Sequence, residues 1–137
     1  MPLIDNIGKQ LKGTIQLPLS KSICNRAIIL AALSNNKLEI VEHSNANDSE
    51  VLLRGIKKDQ NKINVEDAGT AMRFLTAYYA FSGKQVVLEG TKRMHQRPIK
   101  PLIGALNELG TNIEYLENDG FPPIKIYPVA KPSKNLV

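Results

Sequence analysis

Apolar and polar positions alternate with period two over Thr14-Ile15-Gln16-Leu17, which predicts a strand, and the chain then enters Ala27 to Leu33 ("AIILAAL"), apolar on every side. A helix without a polar face is a buried one. "KLEIV" (37–41) predicts a second strand, "NDSEVLLRGI" (47–56) a short helix capped by Asn47 or Asp48, and "KINV" (62–65) a weak strand. The order then begins again. In "DAGTAMRFLTAYYAFSG", Ala68, Met72, Leu75 and Tyr79 fall on one helical face that stops at Gly83, and "QVVLE" follows as a strand. "RPIKPLIGALNELG" predicts a helix with Pro98 in its first turn, Ile99, Leu102, Ile103 and Leu106 on one face and Gly110 as its stop. Two strands, "NIEYL" and "IKIY", close the pattern through Gly120 and Pro122-Pro123.

The recurrence of helix, strand, helix, strand, with a starting offset of about 48 residues, is an internal repeat, and its alternation argues an α/β fold. The pattern divides the chain at Glu66: residues 19–66 form a first unit and residues 67–128 a second. Residues 1–18 precede them as a strand segment, and the tail 129–137 has no closing element, as in a chain that continues into something longer.

Composition bounds the chemistry. With 137 residues, 42% hydrophobic and 23% charged, the chain can build a core without staples. The single Cys24 excludes an intrachain disulfide and fits a reducing compartment, no apolar run approaches the ~18 residues of a membrane span, and "MPLIDNIGKQ" has no signal-peptide order. A cytoplasmic protein that does not bind membranes is the expectation. The net charge of +5 favours anionic partners, either nucleic acid or small phosphorylated molecules.

The placement of the cations favours the second. Helix N-termini carry orphan N–H groups and a partial positive charge, and three predicted starts add cations to them. In "LPLSKSICNR" Lys21 and Ser22 stand at the first start, with Arg26 one turn beyond Ser22; in "AGTAMR" Gly69 permits close backbone approach, Thr70 supplies a hydroxyl and Arg73 follows one turn later; "RMHQRP" places Arg93 and Arg97 before the third. Each has a plainer reading. Lys21 and Arg26 could be solvated, Arg73 could be an ion-pair partner of Asp67 or Glu66, Cys24 reads as a small packing residue, and Tyr78 and Tyr79 as core. His43 and His95 lack partners at ligand spacing, so no metal site is expected, and no P-loop or dinucleotide fingerprint is present.

These three motifs resemble those of the 3-phosphoshikimate 1-carboxyvinyltransferase (EPSP synthase) family. "LPLSKSICNR" is similar to the family's opening signature, with Leu19 in place of glycine and Cys24 in place of serine; "DAGTAMRF" is similar to its second block, with Asp67 for asparagine and Phe74 for proline; "RMHQRPIKPL" is similar to its third. The resemblance implies the first third of an enzyme, with about two of the three βαβαββ units, built around buried helices, of one of its two domains. It implies that Lys21 contacts both substrates, Ser22 and Arg26 hold shikimate 3-phosphate, and Gly69 and Arg97 hold phosphoenolpyruvate, with Asp67, Thr70 and Arg73 as pocket support. It further implies transfer of the carboxyvinyl group without metal or organic cofactor, in a monomer whose second domain and acid/base residues lie outside this chain. By the same resemblance the family is the target of glyphosate, which binds where Phe74 replaces proline. Two alternatives rank below: the superfamily's UDP-N-acetylglucosamine carboxyvinyltransferase, whose opening motif has lysine-asparagine where this chain has Lys21-Ser22, and a basic nucleic-acid-binding module, which would want more than 5% aromatics and a continuous cationic stripe.

Overall fold

A computed structural model describes residues 12–34, 37–57 and 60–129. Residues 1–11 of the predicted leading segment, the tail 130–137 and Lys58-Asp59 lie outside the described residues. Four helices, α1 (Lys21–Leu33), α2 (Asn47–Gly55), α3 (Gly69–Ala80) and α4 (Lys100–Glu108), accompany four strands, β1 (Lys62–Asn64), β2 (Val86–Glu89), β3 (Asn112–Tyr115) and β4 (Ile124–Tyr127). From β1 onward the elements follow the order β-α-β-α-β-β.

The strands form one sheet in the order β1-β2-β4-β3, with β1 parallel to β2 and the other neighbours antiparallel. Period-two alternation gives the sheet two unlike faces. Ile63, Val86, Leu88, Ile113, Ile124 and Ile126 are buried against the helices. The other face is polar: Lys62 pairs with Glu89 at 2.9 Å, and the Tyr127 hydroxyl donates to Glu114 at 2.8 Å.

The buried helix is α3. No residue of it is exposed, and Ala71, Met72, Leu75 and Tyr79 have essentially no contact with solvent. The expectation that α1 is buried on every side is corrected: Cys24, Asn25 and Ile28 are covered, whereas Ile23, Leu30 and Leu33 stand 59% exposed or more. The reason is that no other described element lies on that outer face. The strands expected at Thr14–Leu17 and in "KLEIV" are also absent, because neither segment has a ladder partner among the described residues; Ile15, Leu17 and Val41 are exposed.

Smaller corrections concern helix starts. α2 is capped by Ala46, and α4 begins at Lys100 with Pro101, not Pro98, in its first turn. The stops are as expected, Gly83 and Gly110 taking φ of +70° and +91°.

Helices α1, α2 and α3 run parallel. At their C-terminal ends Ala32, Ile56 and Tyr79 line one cavity, and the buried Tyr79 hydroxyl donates to the carbonyl of Gly55 at 2.7 Å. Gly55 is small by necessity, since a Cβ there would meet Leu75 at 2.5 Å. Tyr79→Phe strands that carbonyl and is expected to cost about 1–2 kcal/mol, read from urea denaturation at neutral pH. Burial pushes the Tyr79 hydroxyl up from 10.0 to about 12. The unfolded chain therefore releases this proton first, so the stabilisation held at neutral pH falls as pH rises from about 10 through about 12. The same denaturation series at rising pH should show a smaller alkaline loss in Tyr79→Phe than in the wild type.

Candidate functional site

At the opposite end, the three helix starts are joined by polar contacts. Ser20 caps α1 in an extended conformation, and its carbonyl accepts the Cys24 N–H at 3.0 Å. Leu19 has no positive φ, so this turn accepts a side chain where the family signature has glycine. Lys21 reaches the start of α2, its Nζ lying 3.6 Å from Asp48, and one turn inside the buried Ser49 hydroxyl donates to Asn25 Oδ1 at 2.7 Å.

The start of α2 is tied in turn to the turn before α3. Glu66 accepts from Asn47 at 3.2 Å and from Arg54 at 2.7 Å, and those two hydrogen bonds, that from Arg54 foremost, hold its carboxyl below the usual carboxylate range. Glu66 stands at φ +53°, a left-handed conformation that its own N–H supports by donating to Asn64 Oδ1 at 2.7 Å. This bend sets the direction of α3.

Four of the residues singled out in the second and third motifs meet here. The Arg97 guanidinium lies flat against Gly69, so close that a Cβ on Gly69 would fall 2.4 Å from Nη1, and Nη1 donates to the Asp67 carbonyl at 3.2 Å. Arg73 donates to the carbonyls of Gly69 at 3.1 Å and Pro98 at 2.9 Å. The ion pair considered for Arg73 is therefore corrected: Glu66 is taken by Arg54 and the Asp67 carboxylate by the Thr91 hydroxyl, while Arg73 ties α3 to the segment ahead of α4 through backbone oxygens. Thr70 follows in the first turn of α3, half-buried.

Lys21, Ser22 and Arg26 are exposed on α1. Arg26 borders an apolar groove of about 410 Å³ between α1 and α3, with Leu30, Leu33, Phe74 and Phe81 among its walls. Phe74 thus sits inside α3, in its second turn, facing α1. The sequence reading missed Ser49 and Thr91, and took Asp48 only as a helix cap. A cue was the polar Asn25 one turn before Ile28 and Ile29 on an otherwise apolar helix, a position that asks for a partner once buried. Among the described residues no cluster of three or more His, Cys, Asp or Glu could hold a metal ion, and no helix is long and apolar enough to cross a membrane.

With this geometry in place, comparison with known proteins is decisive. The sequence profile described as EPSP synthase (3-phosphoshikimate 1-carboxyvinyltransferase) matches residues 6–58 and 38–136. The chain belongs to the EPSP synthase family. Among its relatives, a 3-phosphoshikimate 1-carboxyvinyltransferase of Bacteroides fragilis is 48% identical over 117 residues, covering 85% of this chain and 28% of that protein. One from Cupriavidus taiwanensis is 35% identical over 141 residues, covering 86% and 32%. The fold is that of the EPSP synthase of Acinetobacter baumannii, with a TM-score of 0.68 at 18% identity, over 84% of this chain and 32% of the other. The chain spans about a third of the length of these family members.

The contact of Arg97 with Gly69 yields a direct test. Gly69→Ala should expel the guanidinium but leave the core untouched, because the obstructing atoms are the far end of a flexible side chain. Stability should change by less than about 1 kcal/mol, as for substitutions outside the core. The Arg97 side-chain NH signal should nonetheless move to the position of a solvated arginine in 15N NMR. An unmoved signal would contradict the contact.

Proposed function

We propose that this chain is the N-terminal portion of a 3-phosphoshikimate 1-carboxyvinyltransferase and carries one wall of its substrate site. The observation that supports this reading best is the Arg97 guanidinium held on Gly69 at the start of α3. It uses one donor on the Asp67 carbonyl, and its remaining donors have no hydrogen-bond partner among the described residues. A fork of unused donors beside a helix N-terminus suits a carboxylate or phosphate.

On this reading phosphoenolpyruvate lies against Gly69 and Arg97, shikimate 3-phosphate against Ser22 and Arg26, and Lys21, at the start of the parallel helix α1, serves both. Thr70 and Arg73 support the pocket: Arg73 holds the carbonyl of Gly69, and so fixes the first turn of α3. The 5-hydroxyl oxygen of shikimate 3-phosphate adds to C2 of phosphoenolpyruvate while C3 gains a proton. The adduct then loses that proton equivalent from C3 together with phosphate from C2, leaving the enolpyruvyl ether. Fixed cations align two anions that would otherwise repel, and they stabilise charge that develops between them. The residues that move protons belong to the part of the enzyme outside this chain, so the 137-residue chain alone is expected to bind weakly and to be inactive. We place the enzyme in the cytoplasm as a monomer that needs no metal or organic cofactor.

Titration of the chain with shikimate 3-phosphate and phosphoenolpyruvate should shift backbone amides at Ser20 to Asn25 and around Gly69 and Thr70, with a millimolar Kd, about 4 kcal/mol, that weakens as salt rises. Shifts scattered over the basic surface, or a stronger response to an oligonucleotide, would support nucleic-acid binding instead. In the full-length enzyme, Lys21→Ala should lower turnover at least ~10²-fold, because a charge-assisted hydrogen bond shared by both substrates is lost. Near-wild-type activity of that variant would remove Lys21 from the site.

A further inference from the structure

Arg97 stands on Gly69 because something holds the segment that carries it. Arg97 follows a 3-10 turn, Met94–Gln96, that begins just after β2, and its N–H donates to the Met94 carbonyl at 3.0 Å. This segment touches the turn before α3 at several points. Beyond the β1–β2 ladder, Val65 N–H donates to the Glu89 carbonyl at 2.8 Å and Thr91 N–H to the Glu66 carbonyl at 3.2 Å. At Gly90 the two backbones come so close that a Cβ would lie 2.5 Å from the Glu66 carbonyl oxygen.

The side chain of Thr91 closes this arrangement. Its hydroxyl donates to the Asp67 carboxylate and accepts the Met94 N–H at 3.4 Å, while its carbonyl accepts the His95 N–H at 3.1 Å. Asp67 is held at both ends: its carboxylate accepts from Thr91, and its carbonyl accepts from Arg97. Asp67, Thr91, the 3-10 turn and Arg97 thus form a closed ring of contacts around the start of α3.

We infer that the Asp67–Thr91 pair is a positioning latch: it fixes the 3-10 turn against the turn before α3 and so sets the place of the Arg97 guanidinium over Gly69. Aspartate in place of the family's asparagine puts a negative charge beside the anion pocket. The carboxylate is turned to Thr91 and engaged there. Asparagine could accept the same hydroxyl proton through its own Oδ1, so charge and latch are separable by mutation. This inference rests on the proposed phosphoenolpyruvate site for its consequence, but not for its geometry.

The test uses the 137-residue chain labelled with 15N-arginine, with exposed Arg26 and Arg93 as internal references. Thr91→Val keeps the shape and removes the hydroxyl. It should move the Arg97 side-chain signal towards those references and weaken phosphoenolpyruvate binding about tenfold, the scale of one lost hydrogen bond in a charged network. Thr91→Ser should restore both, and Asp67→Asn should leave the Arg97 signal in place while strengthening binding. A role in stability alone would lower the Tm of Thr91→Val without moving Arg97, and that result overturns the inference. So does an unchanged Kd in Thr91→Val when the wild type binds. If the wild type gives no response to phosphoenolpyruvate, the site assignment fails, and the latch is decided by the Arg97 signal alone.

Discussion

Parallel helices packed side by side bring positive partial charges together at one end, an arrangement that costs energy until anions lie there. In this chain α2 and α3 are kept parallel at their far ends by the Tyr79 hydroxyl on the Gly55 carbonyl, with Leu75 in the space left by a missing Cβ. At the near ends two carboxylates, Asp48 in the first turn of α2 and Glu66 in the turn before α3, reduce that cost. Asp48 takes Lys21, and Glu66 takes Arg54 and Asn47. Positive charge remains at the start of α3, where Arg97 lies on Gly69 with donors to spare. The apolar packing of α3 and the polar site at its start are therefore two ends of one arrangement.

How far the sequence discloses this depends on whether the partners of a segment lie within the chain. From Lys62 onward they do. Each strand there has its ladder neighbour, each alternating apolar position has a helix to cover it, and the periodic reading found β1 to β4, α3 and α4 with errors of up to three residues at the ends. Before Lys62 the described residues supply them for α2, which is buried between α1 and α3, but not for the two strand-like segments. Thr14–Leu17 and "KLEIV" have strand-like patterns but no pairing edge among the described residues, and the apolar outer face of α1 lies open at Leu30 and Leu33. Pattern records the environment a segment is suited to, including surroundings outside this chain. The relatives bear on this as well. Nearly the same share of this chain is spread over 141 positions against the Cupriavidus protein but 117 against the Bacteroides protein, so the more distant relative carries residues that this chain lacks.

The site was legible in its residue types more than in its connections. Gly69, Arg73 and Arg97 could be named from helix-start chemistry and from the motifs they sit in, yet spacing along the chain suggested an ion pair for Arg73 that the fold does not make. Thr91 was invisible because its partner Asp67 is 24 residues away and the two meet only through β1–β2 pairing. Contacts of this kind follow from topology, which spacing along the chain does not show.

In the proposed site the starts of α1 and α3 act on one anion. A double-mutant cycle on phosphoenolpyruvate binding, with Lys21→Ala and Arg97→Ala made singly and together, tests this most directly. Two residues that share a ligand should show a coupling of about 1 kcal/mol or more, the double variant losing less than the two single losses combined. Strict additivity would mean that the two helix starts bind independently, and would contradict a shared site.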